Sequence, residues 1–114
     1  MSKTIYTKDV LIGQIFHPGE HIKDELEDYN LTQKQLAEKI GIKPSVMSEL
    51  VNGKRNVTAA LAIKLGEHLG LNAEMWMKLQ ARYEIMTIKK RMKAEIEESD
   101  IPETKKKELL VSII

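Results

Sequence analysis

The side chains best suited to chemistry in this chain are clustered between residues 43 and 49. Lys43 can donate hydrogen bonds to guanine O6 and N7 or to a phosphate, and Ser45 can pair with several bases. Glu49 can accept a hydrogen bond from the N4 amino group of cytosine. If these residues lie on one helix, Ser48 shares its exposed face. Pro44 offers only an apolar contact, for instance with a thymine methyl group. Together these residues predict a surface that reads base edges in the DNA major groove.

A second set of polar residues is suited to holding the DNA backbone, which requires only hydrogen-bond donors in the right places. Thr58 lies at a predicted helix N-terminus, whose N–H groups suit a phosphate. The predicted phosphate contacts are Gln33, Asn52, Lys54, Arg55 and Thr58. The plainer interpretation is that Asn52 and Lys54 only form a turn and solvate it.

The elements that must position these residues are two short helices within residues 31–53, LTQKQLAEKIGIKPSVMSELVNG. Thr32 is a suitable N-cap for a helix from Gln33 to Ile40, and Gly41 supplies the positive φ that ends it. Pro44 then begins a second helix, which runs to Val51. This is the helix-turn-helix layout, which places the second helix in the DNA major groove.

Helical periodicity continues on both sides of this motif, and the alternation of apolar and polar residues typical of a strand is absent. Helices are predicted at residues 18–28, at 58–70 and from Asn72 to a break at 99–102, with a short sixth helix after it. The pattern indicates an all-α fold. We expect an irregular N-terminal arm (residues 1–16), a helix-turn-helix DNA-binding domain (17–84) and a helical C-terminal extension (85–114).

Composition fits this organisation. The chain has 114 residues, of which 42% are hydrophobic, which is enough for one core and an appendage. It has no cysteine, as expected of a cytoplasmic protein, and the apolar run at residues 10–12 is too short for a signal peptide or a membrane span.

The net charge of the chain is +1, but the charges are unevenly distributed along the sequence. Residues 18–30 hold one lysine and five acids, whereas residues 31–55 hold five basic residues and two acids. The positive charge is local to the helix-turn-helix, as phosphate binding requires.

Other chemistry is not predicted. His17 and His21 are four residues apart, a spacing that can hold a metal, but His17 lies at the start of a helix and no third ligand cluster is present. The chain has no phosphate-binding glycine loop, nucleophile elbow or zinc-protease motif. We therefore expect no enzymatic activity, no metal and no cofactor.

The order Thr-Gln, Leu-Ala, Gly-Ile, Met-Ser-Glu-Leu and Asn-Gly within residues 31–53 resembles the Xre (lambda-repressor-like) family. Residues 17–20 (HPGE), 50–55 (LVNGKR) and 75–83 (MWMKLQARY) further resemble the HigA antitoxins of host-inhibition toxin–antitoxin modules. The resemblance implies a five-helix lambda-repressor-like domain with a long C-terminal helical extension. It also implies a homodimer that binds its own operator DNA, represses transcription and neutralises a cognate mRNA-cleaving toxin of the RelE-like fold.

Past Tyr83, the residues Ile85, Ile88, Met92 and Ile96 form an apolar stripe on the predicted fifth helix. The stripe is interpreted as a dimer contact or a toxin docking surface. The other possibility is that residues 103–114 fold back and cover it.

Two further functions stay open. The chain could be a stand-alone Xre-family repressor without a toxin, or a protein-interaction module whose helix-turn-helix has lost DNA binding. The last possibility arises because Pro44 and Glu49 lie on the face that would read the bases.

Overall fold

The computed structural model describes residues 15–113, and this part of the chain contains six α-helices and no strand. In chain order the helices are α1 (Pro18–Asp28), α2 (Gln33–Ile40), α3 (Pro44–Val51), α4 (Ala59–His68), α5 (Ala73–Glu98) and α6 (Glu103–Ser112). The predicted all-α class, with five helices and a helical extension, is therefore confirmed. Most of the expected N-terminal arm, residues 1–14, lies outside the described residues.

The chain divides into two compact units, the first ending at Tyr83 and the second beginning at Glu84. The first unit holds α1 to α4 and the first part of α5, and so includes the helix-turn-helix. Within it α2 packs against α3 and α4, and α1 packs against α3. The second unit holds the rest of α5 together with α6.

Local hydrogen bonds explain where α2 begins and ends. Thr32 Oγ1 accepts a hydrogen bond from the Gln35 backbone N–H (3.0 Å), and Gln35 Oε1 accepts one from the Thr32 N–H (2.9 Å), which completes a capping box. At the other end Gly41 adopts a φ of 73°. There the Ile42 N–H donates to the Ala37 carbonyl oxygen (3.0 Å) and closes a Schellman motif. The turn before α3 is thus fixed by contacts that are local in sequence.

The core of the first unit is aliphatic and includes one large aromatic side chain. Trp76 is fully buried, and its indole Nε1 donates a hydrogen bond to the Leu71 carbonyl oxygen at 3.1 Å. Because both α2 and α3 bury their inward faces in this core, their outward faces are fixed as well. The buried apolar residues are Ile22, Leu26, Leu36, Ala37, Ile40, Met47, Leu50, Val51, Val57, Ala62, Leu65, Leu69 and Trp76.

A buried carboxylate ties α1 to the connection between α4 and α5. Glu25 is 8% exposed, and its Oε1 accepts a hydrogen bond from the Gly70 backbone N–H at 3.1 Å. Burial raises the pKa of Glu25 because desolvation disfavours the charged form, and the hydrogen bond from Gly70 only partly opposes this. The bond fixes this connection against α1.

In the second unit, α6 leaves an apolar stripe of α5 accessible. The side chains of Ile85, Ile88 and Met92 are 54%, 44% and 40% exposed, and Ile96 is half-buried. None of the described residues of α6 is itself buried. Residues 103–113 therefore do not cover the whole stripe.

Within residues 15–113, no helix is long and apolar enough to cross a lipid bilayer.

Candidate nucleic-acid interface

The first turn of α3 is exposed and has no side-chain cap. Thr32 and Thr58 cap α2 and α4 with their hydroxyl groups, whereas the N-cap residue Lys43 makes no such bond to the residues that the structure describes. Pro44, the first helical residue, has no N–H that needs a partner. Lys43, Pro44 and Ser45 are all exposed. The positive end of the α3 dipole, with a lysine beside it, is therefore open to an anion or a base edge.

The outward face of α3 is polar and the inward face is buried. Ser45 and Glu49 are exposed, and Ser48 is half-buried. The Asn52 side-chain amide donates a hydrogen bond to Ser48 Oγ at 3.3 Å. On the opposite side Met47 is fully buried. The packing of α3 against the core thus decides which side chains face outward.

A tight turn directs the chain after α3 back along the same surface. Gly53 adopts a φ of 75°, and its N–H donates to the Leu50 carbonyl oxygen at 3.2 Å. The Lys54 N–H donates to the Glu49 carbonyl oxygen at 2.8 Å, which gives a second Schellman motif. Lys54 and Arg55 follow directly and are both exposed. The glycine thus places two cations next to the end of α3.

Glu49 and Arg55 form an ion pair on this surface. Arg55 Nη2 lies 2.7 Å from Glu49 Oε1, and Arg55 Nε lies 3.2 Å from the same oxygen. From the sequence alone Glu49 is a base contact or a solvated charge, and this partner is not predicted. The two residues are six apart and the Gly53 turn lies between them, so helical spacing alone could not show the pair.

His17 packs between the start of α1 and the loop that follows α3. Its Nδ1 accepts a hydrogen bond from the Gly19 backbone N–H at 2.9 Å, and its ring meets the Tyr83 ring edge-to-face with centroids 4.8 Å apart. A Cβ at Gly53 would lie 3.5 Å from the ring, so the imidazole lies directly beside the turn. Burial lowers the pKa of His17, although the Arg55 backbone and the Glu20 carboxylate partly oppose this shift.

The start of α1 also touches the end of α3 directly. A Cβ built on Gly19 would lie 2.4 Å from the Leu50 carbonyl oxygen and 2.6 Å from the Val51 carbonyl oxygen. Only glycine allows the two backbones to approach this closely. The His-Pro-Gly sequence therefore sets the position of α3 relative to α1.

Gln80 holds the other end of the same loop. Its Oε1 accepts a hydrogen bond from the Val57 backbone N–H at 2.8 Å, and the side chain is only 3% exposed. The loop between α3 and α4 is thus fixed by α1 and by α5. Neither contact is predicted from the sequence. The only sequence signal for these contacts is that residues 17–20 and 75–83 resemble known antitoxins.

The structure places the ten predicted DNA-contact residues at the start of α2, along α3 and in the connection to α4. Nine are exposed and one, Ser48, is half-buried. Thr58 Oγ1 also accepts a hydrogen bond from the Leu61 N–H at 3.2 Å, so this hydroxyl caps α4. The ten residues are Gln33, Lys43, Pro44, Ser45, Ser48, Glu49, Asn52, Lys54, Arg55 and Thr58. Their contact with DNA stays a prediction.

The two histidines of α1 and its N-cap, His21 and His17, are both buried. Burial lowers the pKa of His21 as it does that of His17, against the opposing charges of Asp24 and Glu20. Within residues 15–113, no group of three or more His, Cys, Asp or Glu side chains is placed to hold a metal ion.

Comparison with known proteins points to one family. The family described as Helix-turn-helix matches residues 22–76. Antitoxin HigA-1 of Vibrio cholerae serotype O1 is 37% identical over 78 residues, which cover 68% of this chain and 73% of that protein.

Two solved structures have a similar fold. An addiction module antidote protein of a HigA family from Coxiella burnetii superposes with a TM-score of 0.68 at 31% identity, covering 78% of this chain and 98% of that one. The Pseudomonas aeruginosa antitoxin HigA, solved with the higBA promoter, has a TM-score of 0.67 at 28% identity. The aligned region covers 79% of this chain and 98% of the Pseudomonas aeruginosa chain.

Proposed function

This chain belongs to the HigA-type antitoxins of the Xre helix-turn-helix family, and from that premise we propose that it is the antitoxin of a HigBA-type toxin–antitoxin module. It binds its own operator DNA as a homodimer, represses transcription and neutralises a cognate mRNA-cleaving toxin of the RelE-like fold. The observation that carries the DNA-binding part is the open first turn of α3, followed by a loop that carries two exposed cations and is bonded to Gln80 through the Val57 N–H. The similar antitoxin HigA of Pseudomonas aeruginosa was solved with the higBA promoter, which supports DNA binding as the function of this fold.

In this proposal α3 lies in the major groove and its outward residues read the bases. Lys43 and Ser45 donate to base edges near the start of the helix, Pro44 makes an apolar contact, and Ser48 lies one turn further along. All but Ser48 are exposed in the free protein. Because the buried side of α3 fixes its rotation, these residues can meet the groove without rearrangement of the core.

The residues that flank α3 hold the phosphate backbone. Gln33 is the first residue of α2, and Thr58 caps α4, so each lies at a helix N-terminus that favours an anion. Asn52, Lys54 and Arg55 follow the end of α3. Phosphate contacts of this kind set the orientation of the protein on the duplex and make binding dependent on salt.

A salt titration tests the DNA-binding part. The double variant Lys54→Ala with Arg55→Ala should weaken binding to all duplexes and reduce the slope of log K against log salt by about 0.9 for each phosphate that the variant no longer neutralises. A matched variant, Lys105→Ala with Lys107→Ala, removes two positive charges from α6 and should leave the slope unchanged. An unchanged slope in the first variant would show that Lys54 and Arg55 do not contact the DNA phosphates.

The toxin-binding part is tested by isolating the tagged chain from its native host. A stoichiometric, small and basic partner that cleaves mRNA alone, and no longer does so when the chain is added, would support the antitoxin function. Recovery of the chain alone, still binding its operator, would favour the alternative function, a stand-alone Xre-family repressor without a toxin.

The apolar stripe of α5 is the proposed dimer contact. Its accessible residues in the single chain are of the kind that a second copy would cover. Replacing Ile88 and Met92 with aspartate should convert the dimer to a monomer in sedimentation or light scattering, because two carboxylates would be buried at the contact. A dimer that persists but no longer binds toxin would assign the stripe to the toxin instead.

A further inference from the structure

We propose that Glu49 and Arg55 act as one unit in reading the operator. Glu49 accepts a hydrogen bond from a cytosine amino group, and Arg55 is the positioning residue that holds the carboxylate in place for this contact. The proposal rests on the proposed DNA-binding function and adds a specificity determinant to that surface.

The geometry of the ion pair leaves part of the carboxylate available to a base. Arg55 directs both Nη2 and Nε to a single oxygen, Glu49 Oε1, at 2.7 and 3.2 Å. The pair therefore leaves Oε2 as an acceptor on the carboxylate. Both side chains are close to half-exposed, at 45% and 46% of their surface, so the pair is accessible from solvent. Both bonds from Arg55 thus go to one oxygen of a carboxylate that belongs to a half-exposed side chain.

The backbone holds Arg55 where it can make this pair. The Gly53 turn, through the bond from the Lys54 N–H to the Glu49 carbonyl oxygen at 2.8 Å, returns the chain towards α3. The His17 ring lies beside Gly53 at one end of the loop, and the bond from Val57 to Gln80 holds the other end. The backbone that carries the guanidinium is consequently held by contacts on both sides of Arg55.

Electrostatics explain why a carboxylate on this face needs a paired cation. An isolated carboxylate entering the groove would be repelled by the phosphates on either side. A guanidinium bound to it removes the net charge and lets the carboxylate approach the bases. Arg55 has five N–H donors and uses two nitrogens on Glu49, so it can contact a phosphate at the same time.

The chemistry of the major groove selects the base. Only cytosine N4 and adenine N6 offer hydrogen-bond donors there. Adenine also presents N7, an acceptor beside the donor, which repels a carboxylate. Cytosine presents its amino group with no acceptor of its own in the groove; the nearest acceptor, O6, belongs to the paired guanine. A carboxylate at Glu49 therefore favours cytosine over the other three bases.

The test compares base preferences at every operator position among variants. Operator duplexes with each base pair replaced in turn are ranked by competition binding to wild type, Glu49→Gln, Arg55→Ala and Lys54→Ala. An exposed ion pair contributes little to stability, so all three variants should fold, and circular dichroism checks this. Wild type should discriminate for cytosine by roughly 5- to 100-fold at one position of each half-site.

Each variant has a distinct expected profile. Glu49→Gln should change the preference at that position from cytosine to adenine, because an amide pairs with adenine N6 and N7. Arg55→Ala should weaken the cytosine preference at that position. Lys54→Ala, the matched control, should lower affinity uniformly and leave every base preference in place.

Three results would overturn the proposal. If wild type binds its operator but Glu49→Gln keeps the wild-type profile, Glu49 reads no base although the DNA-binding function stands. If Arg55→Ala keeps the full cytosine preference, Arg55 does not position the carboxylate. If wild type shows no binding to any duplex, the proposed DNA-binding function fails along with this inference.

Discussion

Replacement of Gly19 by alanine tests the close contact between α1 and α3. A Cβ at this position would lie 2.4 Å from the Leu50 carbonyl oxygen, 2.6 Å from the Val51 carbonyl oxygen and 2.9 Å from the Val51 carbonyl carbon. Ordinary contact begins at 3.4 Å, so the shortest distance falls 1.0 Å short. All three atoms belong to the backbone of a buried helix end and cannot rotate away. The helices must therefore separate.

The expected loss of stability follows from two opposing effects. Overpacking of this kind costs about 1–3 kcal/mol, and more when backbone must move. Alanine in place of glycine within a helix recovers about 0.5–1 kcal/mol. Because the overlap with the backbone is severe, we expect a net loss of about 2 kcal/mol or more. For a domain of this size that corresponds to a fall in melting temperature of about 8 °C or more.

Thermal and urea unfolding, followed by circular dichroism, measure this loss, and Gly41 provides the matched control. Gly41 differs from Gly19 because glycine is favoured there only by its φ of 73°, since no described heavy atom lies within 4 Å of a Cβ built there. Gly41→Asn should therefore be close to wild type, because asparagine tolerates this conformation. Gly19→Ser should be at least as unstable as Gly19→Ala. A Gly19→Ala protein as stable as wild type would refute this reasoning, since the steric overlap would then cost no more than the gain in helix propensity.

Two other predictions concern the contacts around the loop after α3. Burial lowers the pKa of His17 and His21 below the usual 6.5, so the unfolded chain binds protons first and the free energy of unfolding should fall as the pH drops through this value. Urea titrations between about pH 7.5 and 5.5 should show the fall, and His17→Asn, which retains an N-cap acceptor, should reduce it; a pH dependence in His17→Asn equal to that of wild type would contradict the role of His17. Gln80→Leu removes the acceptor for the buried Val57 N–H and should cost about 1–3 kcal/mol in urea unfolding. Wild-type stability of Gln80→Leu would mean that the bond does not hold the loop.

The sequence predicted the helices well because their ends are coded locally. Thr32, Gly41 and Pro44 each act within four residues of their position in the chain, through a cap, a left-handed turn and a fixed φ. The inward residues of α2 and α3 follow from helical spacing alone. The all-α class and the bounds of the helix-turn-helix could therefore be derived without a tertiary structure.

The supports of the candidate site could not be derived in this way, because they join residues that are distant in sequence. His17 meets Tyr83, and Val57 bonds to Gln80. Neither contact leaves a periodic pattern, and the sequence alone indicates no role for His17 beyond its place at the start of a helix. The ion pair between Glu49 and Arg55 depends on the direction of a turn, which residue types alone do not give.

The decisive measurement for the DNA surface is an NMR titration of the isotope-labelled protein with its operator duplex. We predict that the largest shifts of backbone amides fall at residues 43–58 and at Gln33, while α6 changes little. The shifts should grow as salt is lowered. Shifts confined to other helices, or no shifts with the operator at low salt, would contradict the assignment of this surface to DNA.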